Sequence, residues 1–212
     1  MINTEKNNRD YIQDVAEIRS MMERSSKFMS LSGWAGVMAG IYALTGSYIA
    51  RQVFGFHPDS YFYQPLSLEN GFPNLPEVIF PGMGVLFLSV VTALILSRHK
   101  AKKRGFSSWN ATSKRLLSSI SVPLFSGGIL ILIVAHIGLV GLMIPLSLIF
   151  YGLALFQAGQ FTFNDIRYLG LIQIVLGLLS SYFISHSLLL WMIGFGGVHI
   201  VYGIVIYLRY ER

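Results

Sequence analysis

Long apolar runs separated by short polar connections dominate the pattern of this chain. The pattern predicts six spans, each near the roughly 20 residues that a helix needs to cross a bilayer, at 28–50, 79–97, 116–136, 138–158, 166–186 and 187–208. The stretches 116–164 and 168–208 contain no Asp, Glu, Lys or Arg, so each is expected to hold two spans joined by a tight turn. The predicted fold class is therefore all-α, a polytopic membrane helix bundle with six transmembrane helices in one membrane domain, 29–208.

The first 28 residues follow a different pattern. Ile12, Val15, Ile18 and Met22 recur at three- and four-residue steps, which predicts one apolar helical stripe with charged residues opposite it. An amphipathic helix directly before a span usually lies on the membrane surface or packs beneath the bundle, and a helix that docks a partner is the alternative. We expect a cytoplasmic amphipathic helix over 1–28 and a cytoplasmic tail over 209–212.

The connection between the second and third spans carries the strongest charge. Its cations, with no carboxylate among them, resist translocation, so this short loop is expected to stay in the cytoplasm. With six spans, both termini then lie in the cytoplasm, and the expected location is the bacterial inner membrane. The partners expected here are the lipid bilayer and its anionic headgroups, which the 98–115 loop would touch. The residues of this topology anchor are Arg98, Lys100, Lys102, Lys103, Arg104, Lys114 and Arg115.

Composition changes the picture mainly by exclusion. The chain is 53% hydrophobic and 12% charged, against about 25% charged in an average soluble protein. Its net charge of +6 comes from residues beside apolar runs, so no nucleic-acid partner is expected. There is no cysteine, which removes thiolate nucleophiles and cysteine metal ligands. No charged residue lies deep within a span and no hydrolase, metalloprotease or phosphate-loop motif is present, so we expect no enzyme and no catalytic residue.

Small residues in the first span form a ridge that favours close helix contact. Gly33, Gly36 and Gly40 share one helical face, and Gly36-x-x-x-Gly40 is the small-xxx-small pattern found where membrane helices approach closely. Packing against another helix of the same chain is the simpler interpretation. A homodimer, or a membrane partner on the same ridge, is the alternative.

The last two spans carry a second set of glycines. If the chain turns between 186 and 187, residues equally distant from the turn lie opposite each other. Gly177 is then expected to face Gly196, and Gly170 is expected to face Gly203. Glycines on both sides would let these two helix backbones approach closely.

Gln173 and His199 are the polar residues expected deepest in the bundle. The same turn places both side chains about 10–13 Å from the cytoplasmic ends of their spans, at a rise of 1.5 Å per residue. Because the glycines on both helices would let the backbones approach, we predict that the two side chains meet, and each needs a hydrogen-bond partner in hydrocarbon. Two interpretations stay open, a structural clasp and a polar spot in a ligand cavity. Tyr202, three residues after His199, joins the candidate binding residues.

Histidines near the outer surface are a further candidate set. His57 lies on the outer loop, and His136 and His186 fall at the outer ends of the third and fifth spans. Three imidazoles can bind zinc or copper, but nothing in the sequence fixes their separation, so no metal site is expected. His136 and His186 remain binding candidates. A haem held between helices by two histidines would need a second histidine at the depth of His199, and we expect no cofactor.

Three functional hypotheses remain. The first is a non-enzymatic bundle that binds, senses or passes a small apolar or lipid-like molecule, which small residues and few deep polar groups favour. Pro123 and Pro145 interrupt the third and fourth spans in the sequence, and broken membrane helices often mark binding sites. The second hypothesis is a structural or assembly subunit of a membrane complex. The third is a haem or quinone redox protein.

Overall fold

The computed structural model describes residues 32–56, 75–103 and 111–212. Over these residues the chain is all-α, and no strand occurs among them. The predicted amphipathic helix at 1–28, His57 and Arg104 lie outside the described residues. The six long helices are α1 (Gly33–Gln52), α2 (Leu75–Lys103), α3 (Ala111–His136), α4 (Met143–Ala158), α5 (Asn164–Tyr182) and α6 (Ile184–Tyr210).

Among the described residues, four helical segments are long and apolar enough to cross a membrane. They are Ile79–Lys103, Ala111–His136, Val140–Ala158 and Ile184–Tyr210, the third including a 3₁₀ turn at Val140–Leu142 before α4. These segments correspond to the second, third, fourth and sixth predicted spans. The chain is thus an all-α bundle with membrane-spanning helices, as the apolar runs predict. α1 and α5, of 20 and 19 residues, lie where the other two spans are predicted.

The glycine ridge of α1 packs against α6. A β-carbon added at Gly36 would lie 3.2 Å from Cα of Gly203, and one at Gly40 would lie 2.7 Å from the Gly196 carbonyl oxygen. The two backbones are therefore in direct contact, and the intramolecular interpretation of the ridge is the one that the structure adopts. Since α6 covers this face, it is not open to a second copy of the chain.

The glycines of α5 pack against α4. A β-carbon at Gly170 would lie 2.6 Å from the backbone nitrogen of Phe156, and one at Gly177 would lie 3.0 Å from the Pro145 carbonyl oxygen. Gly170 and Gly177 therefore do not face Gly203 and Gly196, and that prediction is wrong. Gly170 and Gly177 of α5 pack on α4, whereas Gly196 and Gly203 of α6 pack on α1.

Two apolar clusters mark the opposite ends of the bundle. One joins the end of α1 to the starts of α4 and α6 through Ala50, Phe56, Val140 and Ile144, with Met143, Leu188 and Trp191 packed on it. The other joins the end of α4, the start of α5 and the end of α6. Its buried residues are Ala158, Phe163, Ile166 and Ile206. Leu116 of α3 packs there too, so successive helices alternate in direction. α2 packs mainly on α1, and α3 packs mainly on α4.

Residues at the end of α6 bind three other helices, α1, α2 and α5, near the cluster around Ile206. The Glu211 carboxylate accepts the backbone N–H of Gly33 at 2.6 Å and the ammonium of Lys100 at 3.0 Å. A carboxylate at this position also interacts favourably with the positive end of the α1 dipole. Asp165 in the first turn of α5 accepts hydrogen bonds from Arg209 and from the Tyr210 hydroxyl, each at 2.9 Å.

Lys100 consequently differs from the predicted role of the basic segment. Its side chain is only 11% exposed and is held in the ion pair with Glu211, so it anchors α2 to α6 rather than to lipid headgroups. Arg98, Lys102 and Lys103 on the same helix end are exposed, as are Lys114 and Arg115 at the start of α3. These five residues keep the position that contact with headgroups requires.

The predicted interruptions of the third and fourth spans are absent from the described helices. α3 continues through Pro123, and Pro145 lies in the first turn of α4, where the missing N–H has no intrahelical partner to lose. The interruption occurs in α6 instead. Its helix is α over Ser187–Trp191, widens to a π-helix over Met192–Val198, and returns to α from His199.

Candidate functional site: a polar cluster at mid-bundle

Three polar side chains lie near the middle of their helices. Gln173 lies nine residues from each end of α5. Tyr151 lies at the middle of α4, and His199 is the first α-helical residue after the π-helix of α6. Their equal depth follows from the alternating direction of the helices. The site is therefore placed where a bilayer would be driest.

His199 is buried, with 4% of its surface exposed, and both of its ring nitrogens have partners. Nδ1 lies 2.9 Å from the carbonyl oxygen of Gly194, and Nε2 lies 2.9 Å from the hydroxyl of Tyr151. A carbonyl oxygen only accepts, so Nδ1 carries the hydrogen and donates it to Gly194. In the neutral ring Nε2 then accepts, and the Tyr151 hydroxyl donates to it. These two contacts fix the tautomer of the ring.

Gln173 meets His199, as predicted from their depth. Its Nε2 lies 3.3 Å from Nδ1 of His199 and donates to the Gly194 carbonyl oxygen at 2.8 Å. Since Nδ1 also carries a hydrogen, the two side chains do not bond to each other. They approach because both donate to the same carbonyl oxygen. The contact is confirmed, whereas its expected cause, facing glycines on the two helices, is wrong.

The position of the turn explains why Gly194 receives both donors. The α-helical part of α5 ends at Tyr182, four residues before the predicted end, and Phe183 begins the turn. Gln173 and Gly194 are ten and eleven residues from Phe183, so they lie at the same depth. His199 is further along α6, and its ring reaches back by five residues to the same carbonyl.

The amide oxygen of Gln173 accepts no hydrogen bond from the described residues. With Gln173 fully buried, its Oε1 has no hydrogen-bond partner within the described part of the chain. A β-carbon at Gly194 would lie 2.6 Å from this oxygen and 2.9 Å from Cδ2 of Leu148. The oxygen therefore points into the contact between α5 and α6, and the ends of leucine side chains fill the space around it.

A second buried hydroxyl lies one turn further along α6. Tyr202 packs against the apolar cluster around Ile166 and Ile206, and its hydroxyl has no partner among residues 32–56, 75–103 and 111–212. An unpaired buried polar group costs about 1–3 kcal/mol, so the site holds two groups that a bound molecule or water would stabilise. The Ser180 and Ser187 hydroxyls are buried in the same unpaired state within the described residues, on either side of the α5–α6 turn.

Aromatic rings lie beside His199, on the side toward the α5–α6 turn. Phe195 stacks on His199 with ring centroids 5.7 Å apart, and it lies 4.8 Å from both Trp191 and Tyr151. Trp191 donates its indole N–H to the hydroxyl of Ser147 at 3.2 Å. The spacing of four residues between Trp191, Phe195 and His199 puts all three on one face of α6 toward α4.

The outer histidines do not join this cluster. His136 and His186 are exposed at the helix ends, and His186 lies 13 residues before His199, about 20 Å along a helix. Across the described ranges, no three His, Cys, Asp or Glu side chains group as a metal site requires. Of the predicted binding residues, the structure brings Gln173 and His199 together, places Tyr202 one helical turn beyond His199, and separates His136 and His186 from them.

Two members of the site were not predicted. Tyr151 was missed although it is a tyrosine in the middle of an apolar span, where its hydroxyl needs a partner. The carbonyl of Gly194 was missed although Gly194, Gly196 and Gly197 fall within four residues of one span, a weak point for α-helical geometry. Both signals were present in the sequence, but neither specifies which side chain would reach which helix.

Fold and site together define the protein as an all-α membrane helix bundle with a polar cluster in its core. A comparison of the chain with protein-family models finds no match, and neither do comparisons with curated proteins and with solved structures.

Proposed function

We propose that the protein is a non-enzymatic membrane bundle that binds a small, largely apolar or lipid-like molecule at the polar cluster between α4, α5 and α6. The observation that carries the proposal is the Gln173 amide oxygen, which is fully buried and has no partner among the described residues. Polar groups within a membrane span are expensive and usually functional. A molecule that reaches this oxygen from the bilayer would relieve that cost.

The π-helix supports the same location. A π-helical turn is rare, and such turns occur frequently at functional sites. Here it covers Met192–Val198 and presents the Gly194 carbonyl toward Gln173 and His199. The rings of Trp191, Phe195 and Tyr151 supply apolar surface beside these polar groups, as in sites that take weakly polar ligands.

The test is to identify molecules that copurify with the protein. If the proposal is correct, a Gly194→Ala variant loses the molecule. The added methyl group would lie 2.6 Å from Gln173 Oε1 and fill the seam, by which we mean the contact between α5 and α6 beside this oxygen. Gly197→Ala is the matched control, since a β-carbon there meets nothing within 4 Å on the same π-helix. Native mass spectrometry of wild type and both variants is the measurement. A molecule retained equally by folded wild type, Gly194→Ala and Gly197→Ala contradicts binding at this seam.

A structural or assembly subunit is the second candidate, and α2 favours it. Many large side chains of α2 are exposed, and α2 packs mainly on α1. The apolar side chains left uncovered include Phe80, Met83, Leu86, Phe87, Leu94 and Ile95. Lipid covers such a face in a monomer, and a partner helix covers it in a complex. A haem ligated by His199 has less support, because the ring would have to give up its hydrogen bond with Tyr151 or Gly194.

We further propose six spans with both termini in the cytoplasm of a bacterial cell. The contact between Gly33 and Glu211 supports this proposal, because it brings the start of α1 and the end of α6 to the end where Lys100 also lies. The exposed cations Lys102 and Arg115 lie at the same helix ends, and positive charge favours the cytoplasmic side.

A pair of reporter fusions tests this orientation. A reporter that is active only in the cytoplasm should be active when fused after Arg212, and a reporter that requires export should be inactive there. A small tag inserted at Ser60 should react with an impermeant reagent added to intact cells. Activity of the exported reporter after Arg212 would refute the six-span arrangement.

A further inference from the structure

The hydrogen bonds around His199 leave one acceptor, the Gln173 amide oxygen, without a donor at the centre of the site. Gly194 O accepts from Gln173 and from His199, and the His199 Nε2 accepts from Tyr151. Gln173 Oε1 is the atom at this centre without a partner in the described chain, and an amide oxygen only accepts. The Gly194 carbonyl, the His199 ring and the Tyr151 hydroxyl already match each other as donors and acceptors, and the unpaired Tyr202 hydroxyl lies one turn further along α6.

The orientation of this amide is fixed by its neighbours. If the Gln173 amide were rotated by half a turn, its oxygen would face the Gly194 carbonyl oxygen at the 2.8 Å that Nε2 now occupies. Two acceptors at that distance repel each other, and the His199 Nδ1–H would remain as the side-chain donor to Gly194. The amide therefore keeps its nitrogen on Gly194 and its oxygen directed into the seam between α5 and α6.

Side-chain atoms, rather than backbone atoms, lie nearest to Gly194 in the contact between α5 and α6. Gly170 and Gly177 of α5 contact α4, and Gly196 and Gly203 of α6 contact α1, so these glycines pack each helix on another neighbour. Between α5 and α6 the space near Gly194 is filled by the ends of Leu148 and Leu176. Leu148 is fully buried, so a slender molecule that reaches Gln173 Oε1 must displace these leucine ends.

Resting on the proposed function, we infer that the ligand is a neutral, largely apolar molecule carrying one hydrogen-bond donor, an alcohol hydroxyl in the simplest case. The donor bonds to Gln173 Oε1 while the apolar body lies against Leu148, Leu176 and the rings along α6. Ethers, ketones and aldehydes of the same shape only accept, so they would place an acceptor against an acceptor. A site that leaves a buried polar group unpaired rejects such analogues.

Three matched probes test this requirement: decanol, its methyl ether and decanal. Binding to the protein in lipid nanodiscs is followed by the fluorescence of Trp191, with Trp34 and Trp109 replaced by Phe so that Trp191 is the sole indole. Decanol should bind saturably with a dissociation constant roughly tenfold below those of the ether and the aldehyde, the selectivity expected of one net hydrogen bond. All three probes are compared on this one folded protein, whose site residues are unchanged, so the comparison does not depend on a variant of the site.

A Gln173→Met variant then identifies the atom responsible. Methionine has a similar length and no amide oxygen, so the preference for decanol should disappear while apolar contacts persist. Saturable binding of all three probes with equal affinity to the wild-type site would overturn the donor requirement and leave the proposed function intact. Persistence of the full preference in folded Gln173→Met would also overturn it. Absence of saturable binding by any probe, together with no copurifying molecule, would overturn the proposed function as well.

Discussion

Replacement of Gly203 by alanine is expected to lower the stability of the protein by about 1–3 kcal/mol, the usual range for overpacking a close contact. The new methyl group would lie 2.5 Å from the Gly33 carbonyl oxygen and 2.6 Å from the backbone nitrogen of Val37. Both atoms belong to the backbone of α1, so no side-chain rotation relieves the clash. The helix as a whole must move away from α6, and its neighbouring contacts at Gly36 and Gly40 open with it.

Gly197→Ala is the control for this prediction. It makes the same chemical change on the same helix, where a β-carbon meets nothing within 4 Å. Since alanine restricts the unfolded chain more than glycine, this variant should be neutral or more stable by up to about 0.5–1 kcal/mol. Unfolding of both variants in detergent, followed by circular dichroism, measures the difference. Equal stability of the two alanine variants would mean that α1 and α6 are not in close contact at Gly203.

The long helices could be predicted because membrane-spanning length is encoded in uninterrupted apolar runs. The predicted 116–136 and the observed Ala111–His136 both end at His136, and the predicted 138–158 ends where α4 ends. The end of the fifth helix was predicted four residues late. Phe183 and Ile184 are apolar and extend the hydrophobic run past the end of α5, so hydropathy alone does not reveal where hydrogen bonding changes.

The glycine pattern predicted contact faces but not the helices that meet there. Gly170 and Gly177 share a face of α5, and Gly196 and Gly203 lie on α6, in agreement with their spacing. Helices joined by a short turn were expected to use these faces on each other. The structure instead pairs α5 with α4 and α6 with α1, because similar small residues on those helices, such as Gly152 and Gly36, complete the contacts. Spacing within one helix carries no information about this choice.

The candidate site was predicted in part for a related reason. A polar residue deep in a span must find a partner, which is why Gln173 and His199 could be expected to meet. Their shared partner is a backbone carbonyl, and any residue type supplies one. The Tyr151 hydroxyl reaches Nε2 of His199 from a third helix, so its role depends on helix packing that the sequence pattern does not specify.

A His199→Leu variant is expected to lose about 1–3 kcal/mol of stability, because it removes the ring while keeping an apolar side chain of similar size. The Tyr151 hydroxyl would lose its acceptor in a buried position, and Gly194 would keep Gln173 as its remaining side-chain donor. Reversible unfolding in detergent measures the change. Stability equal to wild type would mean that the two bonds of His199 contribute nothing net.

A double-mutant cycle with Tyr151→Phe shows how much of this loss comes from the bond between the two side chains. Tyr151→Phe alone leaves His199 Nε2 without its donor, whereas the double variant removes both polar groups together. The double variant should therefore be more stable than the sum of the single losses predicts, by about 0.6–2 kcal/mol. Additive losses would contradict a direct hydrogen bond.

The same variants separate a structural clasp from a ligand-contacting group. Gln173 Oε1 is untouched by either substitution, so a ligand held mainly by that oxygen should remain bound to any variant that still folds. If His199→Leu lowers stability while the copurifying molecule is retained, the pair of His199 and Tyr151 is a clasp that positions Gly194 and Gln173. If the variant folds normally and the molecule is lost, His199 belongs to the surface that contacts the ligand. Mass spectrometry and unfolding on the same preparation decide between these two roles, since each changes one measurement and leaves the other unchanged.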